Sequence, residues 1–281
     1  MCAGQWKQAR KIDTHVHVVL HERENTDLVL NPTSDMLRTM DAQGIHRAFA
    51  LPINYPSYFD LADSDRADGW VEANNLQQAS IAAASEGRIT PFADCSLEHT
   101  EAEVERSLIL AMSHGLVGLK IHPYNLNASA DDARLRPWLC VASELGLPVV
   151  FHANPSGHAG DFNASAPSRV YQAVHGMDAT YCIAHMGGIS YLEVLAGGGY
   201  VDFSGTLLWL AKLHGVLFCE RLLRQIGIDR LLFATDYPIY PYEEYFKILD
   251  QMSFSEDEVD RIAWRNAERF LRGLPPAVHG A

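Results

Sequence analysis

The sequence predicts a single-domain α/β protein, a (β/α)8 barrel of the TIM type spanning residues 1–281. Two observations carry this. Eight short apolar runs alternate with helix-length amphipathic stretches along the whole chain, the pattern of parallel strands joined by crossover helices. No linker or low-complexity tract divides the 281 residues, a length that α/β barrels commonly reach as one domain. Eight repeats favour closure into a barrel, and a doubly wound open sheet is the alternative.

The predicted strands are Lys11–Val18, His46–Ile53, Ile89–Ser96, Leu116–Pro123, Pro148–Asn154, Ala179–His185, Tyr200–Thr206 and Arg230–Asp236. Helix punctuation falls between them. Ser34 is placed to cap a helix that stops at Gly44. Thr100-Glu101-Ala102-Glu103 reads as a capping box for a helix ending near Gly115. A third helix runs from Asp131 to Leu145, before Gly146 and Pro148. A second capping box, Ser255 to Glu258, opens a last helix reaching about Arg272, ahead of Pro275-Pro276 and a frayed tail. Trp138 and Trp264 read as helix residues packed on the barrel. Irregular stretches at 54–66, 124–130 and 154–168 follow the second, fourth and fifth strands. In a barrel these sit at the C-terminal rim, where sites are built.

Composition excludes several classes. Apolar content of 48% and charged content of 20% are those of an ordinary globular protein. A net charge of −13 argues against a nucleic-acid surface. The five cysteines are scattered with no C-x-x-C pair, against thiolate zinc or a disulfide framework and in favour of a reducing compartment. The N-terminus lacks a signal-peptide core, and no apolar run reaches membrane-spanning length. The expectation is a cytoplasmic protein with no membrane partner that acts on a small molecule.

The chemistry collects at strand ends. The first strand carries Asp13-Thr14-His15-Val16-His17. Side chains two apart share a strand face, which puts Asp13, His15 and His17 together and Ile12, Val16 and Val18 on the other side. The fourth strand ends Lys120-Ile121-His122-Pro123, the fifth His152-Ala153-Asn154, the sixth His185-Met186-Gly187-Gly188 and the eighth Thr235-Asp236-Tyr237-Pro238. A lone histidine is an ordinary polar side chain. Ionisable groups from five strands at one rim are costly to bury without a common partner, and a divalent cation supplies one. His15, His17, His152 and Asp236 form a three-nitrogen, one-carboxylate set that suits one Zn²⁺ ion, with Mn²⁺, Fe²⁺ or Co²⁺ less specific. His185 and Asp236 are the candidate acid/base residues. Asp13, deeper on the strand, reads as a supporting carboxylate rather than a ligand.

These motifs resemble the amidohydrolase superfamily of metal-dependent barrels. Gly118–Pro123, Ala184–Gly188, Thr235–Pro238 and Asn266-Ala267 are similar to its amidohydrolase-related branch, which contains aminocarboxymuconate semialdehyde decarboxylase-like and γ-resorcylate decarboxylase-like enzymes as well as hydrolases. The resemblance covers essentially the whole chain. It implies metal ligands at His15, His17, His152 and Asp236 and a catalytic histidine at His185, with exchange of roles between His152 and His185 left open. In binuclear branches a lysine at the fourth strand end is carboxylated and bridges two metals. The branch resembled here is usually mononuclear, so Lys120 is expected as an ammonium that orients an anionic group. Lys120, His122, Tyr124, Asn154 and Arg169 are the candidate substrate contacts, with Asn125 and Tyr237 as weaker ones. Barrels of this branch also often pair as homodimers, although no self-complementary patch is readable from the sequence.

Two reactions fit. The first is hydrolysis, in which an activated water attacks the carbonyl carbon of an ester, lactone or amide. The alternative is non-oxidative decarboxylation of an aromatic or muconate-type acid, with His185 moving the proton. A metal-binding scaffold without catalysis is disfavoured, because a scaffold has no use for an open coordination position.

Overall fold

Eight parallel strands close on themselves in chain order. They are β1 (Lys11–Val16), β2 (Ile45–Ala50), β3 (Ile89–Pro91), β4 (Leu119–Ile121), β5 (Val149–Phe151), β6 (Tyr181–Ile183), β7 (Tyr200–Asp202) and β8 (Leu231–Leu232). The computed structural model describes residues 4–19, 31–53, 69–154 and 163–277. β1–β3 form one parallel ladder and β4–β8 another. A bridge between Ala93 and Leu119 joins β3 to β4, and one between Val16 and Tyr237 joins the end of β8 to β1. Across that last seam the Thr14 N–H donates to the Phe233 carbonyl and the Asp236 N–H to the His15 carbonyl, each at 2.9 Å. Closure at both seams selects the barrel over the open sheet.

The layers inside the barrel explain where polar residues are tolerated. At the bottom, Ile12, Phe49, Phe92, Val150, Cys182, Tyr200 and Leu232 pack into one apolar cluster plugged by Phe270. Phe270 comes from the final helix, Asn266–Leu271, and lies edge-on to Tyr200 at 5.3 Å. Asn266 fastens that helix by donating from Nδ2 to the Ile228 and Leu231 carbonyls, both at 2.8 Å. Above the plug, inner positions turn polar. Lys120, His15 and Asp202 are fully buried, so their charges and lone pairs must be satisfied by one another or by a bound group.

The elements largely follow the reading of the sequence, with local differences. Both capping boxes form, at Thr100/Glu103 and Ser255/Glu258. The second helix begins at Thr33, one residue before Ser34, and Ser34 makes no side-chain cap. The helix expected from Asp131 is a short 3-10 turn, Ala133–Leu135, capped by Asp132, followed by Arg136–Glu144. The last helix passes through one π turn, Arg261–Arg265. The stretch expected to be irregular after β4 contains a short helix, Pro123–Leu126. The stretches 54–66 and, in part, 154–168 lie outside the described residues.

β1 departs from strict alternation. Its register to β2 shifts between Lys11 and Ile12 and again between Asp13 and Val16. Ile12 therefore joins the inner cluster while Val16 and Val18 pack in the outer one, so the expected grouping of Ile12 with the valines does not hold. A bulge adds a residue and re-aims the side chains after it. Among the described residues, no helix is long and apolar enough to cross a membrane.

Candidate metal centre

β1 and the end of β8 bring three of the four expected ligands together. Ligand atoms of His15, His17 and Asp236 all lie within 4.8 Å of one another. His15 Nδ1 is 2.9 Å from Asp202 Oδ2, and His17 Nδ1 is 2.9 Å from the Leu51 carbonyl. Both partners are acceptors only, so each Nδ1 carries the proton and donates it. In the neutral ring that a metal ligand must be, each Nε2 is then left with a lone pair. Those lone pairs face Asp236 Oδ1, at 3.6 Å from His15 and 3.1 Å from His17.

Three acceptors thus converge on one point. Asp236 Oδ1 is buried and, among the described residues, receives no hydrogen bond. A carboxylate oxygen without a donor is expensive in a protein interior, and a cation is the group that satisfies all three. Burial drives the His15 pKa down to about 3, with the Lys120 charge adding to the effect, so its lone pair stays available. Burial alone raises the Asp236 carboxyl, but His17, His15 and His185 beside it outweigh this and hold it below the usual carboxylate range. Neutral imidazoles and an ionised carboxylate are the protonation states that metal binding requires.

The fourth expected ligand, His152, sits at the edge of this group. Its Nδ1 is 3.0 Å from His185 Nε2, and its ring stacks on His122 with centroids 3.8 Å apart and planes 12° from parallel. Burial lowers the pKa of His122, His152 and His185 alike, the first two strongly. His185 also approaches His15 and Asp202 closely enough to share a cation with them. The structure therefore keeps both roles open for His152 and His185.

The backbone that presents His185 is strained. His185, Met186, Gly187 and Gly188 are four successive residues with positive φ, at 56°, 50°, 75° and 57°. L-residues pay for this conformation, and such strain gathers at functional sites. Glycine is required at position 188 on a second count, because a Cβ there would meet Asn154 Oδ1 at 2.1 Å. Asp236 is left-handed too, at φ 62°.

Asp202 and Ser204, from β7, are site residues absent from the sequence-based expectation. Asp202 Oδ1 accepts from the His185 N–H at 2.9 Å, the Ser204 N–H at 3.0 Å and the Ser204 hydroxyl at 2.5 Å, while Oδ2 orients His15. Ser204 Oγ lies 2.9 Å from His185 Nδ1. One buried carboxylate thereby holds a candidate ligand, the strained turn and, through Ser204, the His185 ring. Burial raises its pKa, but His15 and His185 and the Ser204 hydrogen bond prevail and keep it ionised. Asp202→Ala is expected to weaken divalent-metal affinity by about 10- to 100-fold, the usual effect of losing a partner that orients a ligand. Titration of the metal-free protein against a chelating dye measures this, and unchanged affinity would remove Asp202 from the site.

The remaining candidates divide. Asp13 accepts from the Thr235 N–H at 3.1 Å and Thr235 Oγ1 at 2.5 Å, and from the His15 N–H at 3.1 Å, so it ties β1 to β8 in the supporting role expected. Lys120 lies among the site groups, and burial lowers its pKa to about 8 against the opposing pull of Asp202 and Asp236. Asn154 lines a cavity of about 400 Å³ together with His152, His185, Ser204, Asp236, Trp209, Ile239 and Tyr240. Lys120, His122, Tyr124 and Arg169 are not among the described residues lining it. Arg169 is instead held 3.0 Å from Asp131, and the Tyr237 hydroxyl meets Thr39 at 3.2 Å.

Comparison with known proteins agrees with this geometry. A family model described as Amidohydrolase matches residues 12–273. Over 288 residues the chain is 23% identical to a γ-resorcylate decarboxylase of Polaromonas sp. (strain JS666 / ATCC BAA-500), covering 84% of this chain and 86% of the relative. Its structure is similar to that of a dihydroxybenzoic acid decarboxylase from Polaromonas sp. JS666 with bound manganese and the inhibitor 2-nitroresorcinol (TM-score 0.70, 18% identity, 94% of this chain and 97% of that one). It is also similar to a probable 2-pyrone-4,6-dicarboxylic acid hydrolase from Acinetobacter baumannii with citric acid bound (TM-score 0.66, 17% identity, 94% and 99%). With the family matched along nearly its whole length on a closed barrel, the chain belongs to the amidohydrolase family and is an enzyme of the branch that includes decarboxylases.

Proposed function

We propose that the protein is a metal-dependent, non-oxidative decarboxylase of a small aromatic hydroxy acid. Hydrolysis, the first of the two readings drawn from the sequence, has less support. The relative matched in sequence and the manganese-bound neighbour are both named as decarboxylases of dihydroxybenzoate-type acids. One observation in the molecule carries the reading. The cavity is lined both by the apolar and aromatic side chains of Trp209, Ile239 and Tyr240 and by His152, His185 and Asp236, a mixed lining that suits a small aromatic ring carrying polar substituents.

His15, His17 and Asp236, with His152 or His185, are the residues that would hold one divalent ion, Mn²⁺ or Zn²⁺. When bound, that ion supplies a fixed positive charge that orients the substrate's oxygens and offsets developing negative charge. The rest falls to the side chains. His185 is neutral, with Nδ1–H directed to Ser204, so its Nε2 accepts a proton. In the proposed reaction Nε2 takes the proton of a hydroxyl ortho to the carboxylate and returns it to the carboxylate-bearing ring carbon. The bond to the carboxylate then breaks, its electron pair restores the aromatic ring, and carbon dioxide leaves. Lys120, buried beneath, contributes positive charge that favours the anionic substrate. The unpaired cysteines Cys95, Cys140, Cys182 and Cys219 support action in the reducing cytoplasm.

The test is direct. Metal-loaded protein is incubated with a panel of hydroxybenzoates and a panel of esters and lactones. Carbon dioxide release from the first panel without hydrolysis of the second is the expected result. Hydrolysis without carbon dioxide release would restore the hydrolase reading.

A further inference from the structure

Several polar side chains around the cavity are already committed. The Ser204 hydroxyl serves His185 and Asp202, and His185 and Asp236 belong to the candidate metal groups. Two hydroxyls that line the cavity are not committed. Among the described residues, neither Thr206 Oγ1 nor the Tyr240 hydroxyl has a hydrogen-bond partner. Thr206 is only 7% exposed, and a hydroxyl withdrawn from bulk water without a partner costs stability until a ligand or water meets it. The two are neighbours. Gly205, just before Thr206, has φ 65°, and a Cβ there would lie 3.0 Å from Tyr240 Cε2 and 3.4 Å from its hydroxyl oxygen. The bare backbone thus lets Tyr240 settle against the start of the helix Thr206–His214. The place is also fixed. The Gly205 N–H donates to the Tyr245 hydroxyl at 2.6 Å, which donates to the Thr235 carbonyl at 2.8 Å, one residue before Asp236. The turn that carries Thr206 and the loop that carries the metal-binding carboxylate are therefore fastened together. Asp236 lies near enough for its charge to bear on Tyr240, so both hydroxyls and the metal centre address one bound molecule.

We infer that Thr206 and Tyr240 are specificity residues whose hydroxyls read a second ring hydroxyl on a substrate that carries a single carboxylate. The inference rests on the proposed reaction and narrows its substrate. Two properties select an uncharged oxygen over a second carboxylate. The first is charge. No Lys or Arg is among the described residues lining the cavity, and Asp236 is. A further carboxylate beside Tyr240 would be buried without a cation, which is strongly unfavourable. The second is hydrogen bonding. A side-chain hydroxyl both donates and accepts, and so does a phenolic hydroxyl, so one substituent satisfies Thr206 and Tyr240 together. A ring that lacks it leaves both groups unpaired, the situation in which a polar site discriminates well. Trp209, one helical turn after Thr206, lines the same cavity and gives the ring an aromatic surface to pack on.

Calorimetric titration of the metal-loaded protein with phenol and with the dihydroxybenzenes tests this without turnover, because these molecules have no carboxylate to lose. At least one dihydroxybenzene is expected to bind about tenfold more tightly than phenol. Tyr240→Phe and Thr206→Val keep the shape of each side chain and lose its hydroxyl, and each is expected to cut that preference several-fold. Thr206→Ser, which retains a hydroxyl, should preserve it. The same ranking is expected in kcat/KM for the corresponding hydroxybenzoates. Equal affinity for phenol and every dihydroxybenzene, a preference that survives both Tyr240→Phe and Thr206→Val, or tighter binding of a hydroxylated benzenedicarboxylate than of any dihydroxybenzoate would overturn the assignment. A binding preference that follows these variants, with no carbon dioxide released from any acid, would instead overturn the proposed reaction and leave the two hydroxyls as the readers of the ligand.

Discussion

Asp236→Asn is expected to lower kcat by about a thousandfold or more while leaving the metal-free protein as stable as the wild type. Loss of a positioned charge or proton-transfer group commonly has an effect of that size. The substitution keeps the shape of the side chain and removes its charge. Asp236 Oδ1 now faces the lone pairs of His15 and His17 without a donor, an arrangement that costs stability unless a cation is bound. A carboxamide in its place can turn its N–H₂ toward His17 Nε2 and relieve that conflict. The metal-free variant should therefore unfold at the same temperature as the wild type or higher, and it should gain less stability from added Mn²⁺ or Zn²⁺, because binding to the folded state is what raises apparent stability. Thermal unfolding with and without metal, alongside turnover, gives both readouts. Retained turnover would exclude Asp236 from the chemistry. A metal-free variant that unfolds far below the wild type would show instead that the carboxylate is structural.

The parts of this site that the sequence discloses are those governed by short-range rules. His15 and His17 share a face because strand side chains repeat every two residues. His152, His185 and Asp236 converge because parallel barrel strands all end at one rim. Asp202 obeys the same rules. It is the last residue of the observed strand Tyr200–Asp202, but the predicted strand runs on to Thr206, which is the start of a helix, and so places Asp202 in its interior rather than at its end. Counting inward positions along the whole of Tyr200–Thr206 exposes it. Other features had no local signal. The shift in β1 that turns Ile12 inward depends on pairing with β2, and no property of Lys11–Val18 by itself marks it. Arg169 looked like a rim cation, yet Asp131, 38 residues earlier, holds its guanidinium. Ser34 lost its capping role to a helix that starts two residues sooner, a margin within which such boundaries routinely move.

The division of labour between His152 and His185 decides the second large effect. His185→Gln is expected to reduce turnover by about 10²- to 10⁴-fold, the contribution of a positioned proton-transfer group, while metal stoichiometry is preserved. The side chain is built for proton movement. Its Nδ1 is committed to Ser204, which in turn bonds Asp202, so the ring is fixed in one tautomer and its Nε2 faces the cavity beside His152. Burial keeps it neutral, and a neutral imidazole can both take and return a proton. Among the described residues His152 has no comparable support: its Nδ1 meets His185, and its ring rests on His122. A metal would give that ring the second partner it lacks. His152→Gln should accordingly lose metal, whereas His185→Gln should keep metal and lose turnover. Metal content measured on both purified variants separates the roles. If His185→Gln is the variant that loses metal, the two histidines exchange places, and the proton must be moved by Asp236 rather than by the Asp202–Ser204–His185 chain.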